Sequence, residues 1–326
     1  MKTALENMKN VAQMFARWTT GLRAPGWGQW TYAAACASAF FVAAHDATAA
    51  QASFPTPEDA VAAMVDAVRL NNTPLMNVIL GPGADALIES GDAAQDQRRR
   101  ALFLKAYDEA HSLAAAGDSK VVLHVGHSAW PMPIPLVKSH GAWRFDTREG
   151  QKEILARRIG RNELSAIQVC LAIADAERDY AARDVDGDGV LEYAQRIASR
   201  PGKRDGLYWN AAPGEAPSPL GPFLAAAADS AHAGATPLAP YHGYHYRILT
   251  AQGKNAPGGA RNYVAGGRMI GGFAVIAYPA RYGASGVMSF IVNQDGVVYE
   301  KNLGRNSAAI AHKMTAYDPD ATWKRP

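Results

Sequence analysis

Cysteine is close to absent from this chain: its 326 residues include two, Cys36 and Cys170, and Cys36 lies in an N-terminal segment built like a removable leader. A processed chain would keep Cys170 alone, so no internal disulfide could staple it and the fold has to rest on an apolar core. Long apolar runs are also lacking. Residues 33–44 fall short of the roughly 20 residues that a permanent membrane helix needs, and no later stretch is long enough. An excess of one charge is missing too once the leader is set aside: residues 1–52 carry four of the 33 basic and two of the 30 acidic residues, which leaves 29 against 28. The isoelectric point of about 8.8 therefore implies no basic face, and no nucleic-acid partner is expected. Three catalytic signatures are absent as well. No Gly-Lys-Ser/Thr closes a phosphate loop, and no helix carries a paired-histidine zinc motif. Ser285 has its glycine at i+1, with a strand expected to follow, unlike a nucleophile elbow.

What is there begins with Lys2, Lys9, Arg17 and Arg23, then the apolar run, then the small residues Ala47, Ala49, Ala50 and Ala52. That is the order of a secretory signal peptide, expected over 1–52 and cut after Ala49 or Ala52. A later start at Met8 or Met14 would shorten its unusually long basic region, and an uncleaved anchor is the alternative. Cys36 follows three alanines, but 27–32 lack the apolar core of a lipoprotein leader. A periplasmic or secreted protein without a stable membrane span after cleavage is expected.

The remainder reads as α+β. Thr56, Glu58 and Asp59 mark a helix start, and Val61, Met64, Val65 and Val68 recur at helical spacing. Leu75, Val78, Ile79 and Leu80 suggest a second helix, stopped by Gly81 and Pro82. A third is expected over 98–113, with Leu102, Phe103, Ala106, Tyr107 and Ala110 as its stripe. After Gly117 the period changes, and 121–125, 134–138 and 142–146 read as short strands. Helices followed by a small curved antiparallel sheet resemble the nuclear-transport-factor-like cone, so 53–148 is expected as an N-terminal cone-like lobe. The run from Trp130 to Pro135 is expected as a rigid, partner-docking rim.

Residues 149–326 are expected to hold a long spine helix and a C-terminal antiparallel lobe. Leu164, Ile167, Leu171 and Ala174 repeat on one face of 149–183, and Val169, Cys170 and Ile173 widen it, which implies burial against more than one partner. Irregular connectors at 203–209 and 217–223 and a short alanine helix at 223–232 lead to four strands, 244–249, 272–278, 287–293 and 297–301. Asp295-Gly296 marks the last hairpin. A long helix before a meander resembles the soluble part of a type IV pilin or pseudopilin, although here the helix lies mid-chain.

The densest group of oxygen ligands is Asp184, Asp186 and Asp188, running into Gly189 and Glu192. Alternate residues of a tight turn aim their carboxylates to one side, as a hard cation requires. A full helix-loop-helix calcium loop would place Glu where Gln195 stands, and Glu192 is the nearer substitute. Calcium is the expected cofactor, bound by Asp184, Asp186, Asp188 and Glu192 in a structural clasp. The same residues also suit a solvated Asp-Gly turn.

His242 and His245 stand among three tyrosines, a cluster suited to a ligand, a metal or acid-base work. At i and i+3 entering a strand they point to opposite faces unless the chain turns at Gly243. His124 and His127 pose the same question. In the glycine-rich 253–267 stretch and just beyond it, Arg261 and Arg268 are candidates for an anionic ligand.

Tyr241-His242-Gly243-Tyr244, Gly271-Gly272-Phe273 and Asn293-Gln294-Asp295-Gly296-Val297-Val298-Tyr299 resemble the uncharacterised bacterial family termed domain of unknown function 2950. The resemblance covers nearly the whole processed chain. It implies an exported protein of Gram-negative bacteria and supplies no catalytic residues. The resulting expectation is a non-enzymatic envelope assembly or ligand-binding factor with an envelope or secretion component as partner. A periplasmic hydrolase of an envelope polymer using His242 and His245, and a secretion-system or pilus accessory protein, are the alternatives.

Overall fold

The computed structural model describes residues 51–89, 93–185, 187–221 and 239–326; the expected leader up to residue 50, the expected alanine helix and Asp186 lie outside them. Helix α1 (Pro57–Arg69) starts where the Thr56 side chain accepts the Asp59 N–H, with Pro57 at its first turn. Asn72 caps α2 (Thr73–Leu80) in the same way. After the short α3 (Asp85–Ile88) comes α4 (Ala93–Glu109), then five strands: β1 (His111–Ala115), β2 (Lys120–Val125), β3 (Trp130–Pro131), β4 (Leu136–Ser139) and β5 (Ala142–Phe145). They form one antiparallel sheet in the order β1-β2-β4-β5, with β3 also on β2. Its core joins Val61, Met64, Val65, Ile79, Leu123 and Phe145.

The third helix is shorter at its C-terminal end than the spacing predicts. It stops at Glu109, and His111–Ala115 pair residue for residue with β2 instead of adding a helical turn. The ladder satisfies a row of backbone groups that one more turn would leave at a frayed end. Leu102, assigned to the stripe, is 67 % exposed.

Asp146 caps the spine helix α5 (Thr147–Ala181), accepting the Glu149 N–H at 3.0 Å. Its first turns are tied to the N-terminal half: Thr147 donates to the Leu80 carbonyl at the end of α2, Gln151 to Gly83 in the loop after it and Arg157 to Pro131 of β3. From Asn162 onward it serves the C-terminal sheet. The buried face is Ala166, Val169, Cys170, Ile173, Ala174, Ala176, Glu177 and Tyr180, while Leu164 is 67 % exposed. Of the expected face Val169, Cys170, Ile173 and Ala174 are buried and Ile167 and Leu171 pack against the same core; Leu164 lies off it, and alanines, a tyrosine and a glutamate complete the 3.6-residue face. Burial pushes the Cys170 thiol up to about 12, as a structural core cysteine requires.

The C-terminal meander, β6 (Tyr244–Leu249), β11 (Ala274–Pro279), β12 (Ser289–Asn293) and β13 (Val298–Lys301), is ordered β13-β12-β11-β6. Between β6 and β11 lie the two-residue strands β7 (Ala251–Gln252), β8 (Arg261–Asn262), β9 (Val264–Ala265) and β10 (Arg268–Met269). Helix α6 (Ser307–Lys313), which the sequence reading did not anticipate, and β14 (Ala316–Tyr317) complete the lobe. Alternation along β6 sends Tyr244, Tyr246 and Ile248 to the α5 side and His245, Arg247 and Leu249 to the α6 side. Tyr244 and Tyr246 accordingly lie in the field of Cys170, whereas Arg247 donates to the Ala311 and Met314 carbonyls at the end of α6. The protein is α+β; among the described residues no sheet closes into a barrel and no helix is long and apolar enough to cross a membrane.

Candidate functional site

The turn that opens β6 borders a cleft. Tyr241 and Tyr244 exchange backbone hydrogen bonds at 3.0 and 3.1 Å, and between them His242 (φ +50°) and Gly243 (φ +77°) are both left-handed. That is the mirror-type two-residue turn, which suits glycine and tolerates histidine better than most side chains. Gly243 has a second reason to lack a side chain: a Cβ there would stand 2.6 Å from the Asn162 amide nitrogen and 3.0 Å from Ser285 Cβ. Asn162 donates to the Ser285 carbonyl at 2.8 Å, and Glu163 accepts the Val287 and Met288 N–H groups at 2.8 and 3.0 Å. Two neighbouring residues of α5 thereby fix both the turn and the β11–β12 connection.

Against this turn, Ser165, Gln168, Val169 and Ala172 line one side of α5 at helical spacing, and with Gly221, Tyr241 and His242 they enclose a cleft of about 420 Å³. The Tyr241 and His242 rings lie 4.3 Å apart at 57° and form an aromatic corner. The left-handed backbone at His242 is the ordinary geometry of this turn and sets the imidazole at the rim of the cleft.

His242 and His245 do not converge. His245 faces the other side of the sheet, its ring 5.7 Å from Tyr278, which in turn lies 5.7 Å from His312 of α6. Arg261 and Arg268 are also separately engaged. Arg261 sits 5.7 Å over the Tyr263 ring, and with its amide oriented to satisfy both neighbours Gln294 accepts from Arg261 at 3.1 Å and donates to the Phe273 carbonyl at 2.9 Å. Arg268 pairs with Asp188 at 2.9 Å.

In the acidic loop, Asp184 accepts the N–H groups of Gly187, Asp188 and Gly189 at 2.8 to 3.0 Å. Asp188 accepts the Val190 N–H besides its bond to Arg268, and Glu192 accepts the Met269 N–H at 3.0 Å. The loop thus clips β10 to the end of the spine helix. Among the described residues no group of three or more His, Cys, Asp or Glu side chains is placed to share a metal ion. Ser285 Oγ accepts from the Arg281 N–H and donates to the Arg281 carbonyl, stapling a turn.

Sequence reasoning missed Ser165, Gln168, Asn162, Glu163 and Glu177. The first four occupy neighbouring faces of a helix that was read only for its apolar stripe. Glu177 is fully buried, with one oxygen accepting the Ala194 N–H at 2.8 Å and the other lacking a hydrogen-bond partner. Burial first, opposed by the Ala194 hydrogen bond, holds its carboxyl well above the ordinary range.

These features define an α+β protein whose mid-chain helix ties together two sheets and floors a small polar-rimmed cleft. A family model described as protein of unknown function (DUF2950) matches residues 51–325, and the chain belongs to that family. No curated protein and no solved structure matches it.

Proposed function

We propose that this chain is a non-enzymatic, exported factor of the bacterial envelope that binds a small ligand in the cleft between α5 and the Tyr241–Tyr244 turn. The observation that carries this reading is the convergence of Ser165, Gln168, Tyr241 and His242 on an apolar floor of Val169 and Ala172, with His242 held left-handed at the rim. A concave site with an apolar floor and a few convergent polar groups is the usual form of a small-molecule site. Its test is ligand-detected NMR on the purified chain with a small-molecule library, read against His242→Asn; no ligand that senses the substitution would sink the proposal.

Export is supported by the order of the N-terminal segment and by the family match beginning at residue 51. Gln51 donates to the Leu80 and Phe145 carbonyls at 2.7 Å, so cleavage after Ala49 would keep this anchor and cleavage after Ala52 would remove it. Terminal sequencing of the exported form decides between them. As an alternative, a role as a secretion or pilus accessory draws its support from the helix-then-meander order and would be tested by co-purification with envelope assemblies. A hydrolase using His242 and His245 as one pair has the weaker support, because the two rings face opposite sides of a sheet.

Within the same reading, Asp184, Asp186, Asp188 and Glu192 take calcium as a clasp. The three N–H groups converging on Asp184 support this by folding the loop tightly, with Gly187 and Gly189 left-handed. Calcium would have to displace Arg268 from Asp188, so Arg268→Ala is expected to tighten its binding. Elemental analysis without calcium, together with a melting temperature indifferent to chelator, overturns the clasp.

A further inference from the structure

We infer that the cleft is shaped for a neutral sugar, which rests on its being a ligand site at all. The argument begins with charge. Among the described residues no Lys, Arg, Asp or Glu lines it, so from these neither a carboxylate or phosphate nor an ammonium group would meet an opposite charge to replace lost hydration. The second step is hydrogen-bond character. The Ser165 and Tyr241 hydroxyls and the Gln168 amide each both donate and accept, and the His242 ring adds two nitrogens. An anion asks for donors and a cation for acceptors; a hydroxyl, itself both, matches such a set in any orientation.

Shape supplies the third step. A flat heteroaromatic ligand fits best against one face or between parallel walls, but Tyr241 and His242 meet at 57° with centroids 4.3 Å apart. A corner of this kind takes the apolar C–H face of a pyranose on one ring while the other ring closes on its edge. Ser165 and Gln168, one helical turn apart on α5, then stand along the hydroxyl-bearing rim, above the apolar floor of Val169 and Ala172. A space of about 420 Å³ is at the small end of ligand pockets and suits one or two sugar rings.

The experiment is saturation-transfer NMR on the full chain with four probes: N,N′-diacetylchitobiose, glucuronic acid, glucosamine and p-cresol. The neutral disaccharide is expected to receive saturation through its ring protons. Tyr241→Ala and Gln168→Ala should each weaken it about tenfold, the scale of one lost aromatic or hydrogen-bonding contact. Tyr241→Phe, which keeps the ring and loses the hydroxyl, should bind between the parent and Tyr241→Ala, and melting curves confirm that each variant is folded. Gln168 is exposed on its helix, so its replacement tests the site even where a turn variant unfolds. If glucuronic acid, glucosamine or p-cresol binds in place of the disaccharide and senses Gln168→Ala, the sugar assignment falls and the ligand site stands. If none of the four gives saturation that Gln168→Ala removes, and the wider library also gives none, both fall.

Discussion

His140-Gly141 and His242-Gly243 are the same two residues in the same left-handed pair of conformations, with φ of +52° and +81° in one and +50° and +77° in the other. The first closes the β4–β5 hairpin, where Ser139 pairs with Ala142 and a Cβ on Gly141 would meet nothing within 4 Å. The second is pressed onto Asn162 and Ser285 and puts its imidazole into a cleft. Local sequence therefore dictates the turn in both places, and the spine helix decides which of them becomes a site. In the N-terminal half α5 offers Gln151 and Arg157 to the Gly83 and Pro131 carbonyls in solvent-exposed hydrogen bonds, whereas at the C-terminal sheet it commits Asn162 and Glu163 to a part-buried connection.

The sharpest way to break this comparison is one methyl group at each turn. Gly141→Ala has only the left-handed backbone to overcome and is expected to destabilise by about 1 kcal/mol. Gly243→Ala adds a collision with the Asn162 amide and should lose about 3 kcal/mol, of which Asn162→Ala in the same chain should restore part. Equal losses in urea denaturation would mean that the packing around the second turn is unimportant. Next in size is Glu163→Ala, which strands the Val287 and Met288 N–H groups and is expected to lose about 2 kcal/mol. Arg157→Ala, less than two turns earlier on the same helix, should lose under about 1 kcal/mol, as its contacts are partly solvated.

The origin of this asymmetry was only half visible in the amino-acid order. Asp295-Gly296, the capping Thr56 and the period-2 strands announced themselves, because turn chemistry and capping are local. The α+β class, the four meander strands and their hairpin could be read in that way. Strand β1 could not: His111–Ala115 carries no alternation of its own and becomes a strand by pairing with β2. Helix α6 is seven residues, too short to show a period, and is held by the Arg247 side chain from a strand more than 60 positions away. His242 was a candidate because of its aromatic neighbours, but Ser165 and Gln168 acquire meaning only when a turn some 75 residues later is laid against their helix.

Glu177 extends the comparison to pH. Gln51 and Thr147 use neutral groups to tie down the N-terminal lobe, while the C-terminal lobe buries a carboxyl whose pKa lies well above its ordinary 4.5. A carboxyl raised on folding holds its proton more tightly in the folded chain than in the unfolded one. The stability it lends is complete below the ordinary carboxylate range and is lost as pH rises through the raised value. Denaturation midpoints should therefore fall from about pH 5 upward. Glu177→Gln keeps an oxygen for the Ala194 N–H, removes that slope and leaves the variant more stable than the parent at pH 8. A parent and variant with parallel pH profiles would show that Glu177 ionises freely.

The smallest stability effect is expected where the functional difference is largest. Asparagine occupies left-handed turn positions more readily than histidine, so His140→Asn and His242→Asn should each leave stability within about 0.5 kcal/mol of the parent. The two turns then separate by function alone: His242→Asn keeps the backbone reversal and removes one wall of the aromatic corner, while His140, hydrogen-bonded to the Ser139 hydroxyl at an exposed hairpin tip, has no wall to remove. Ligand binding that drops for His242→Asn and holds for His140→Asn, at matched melting temperatures, assigns the cleft to the side chain and not to the turn. Equal binding by both variants would reduce His242 to a turn residue like its N-terminal counterpart.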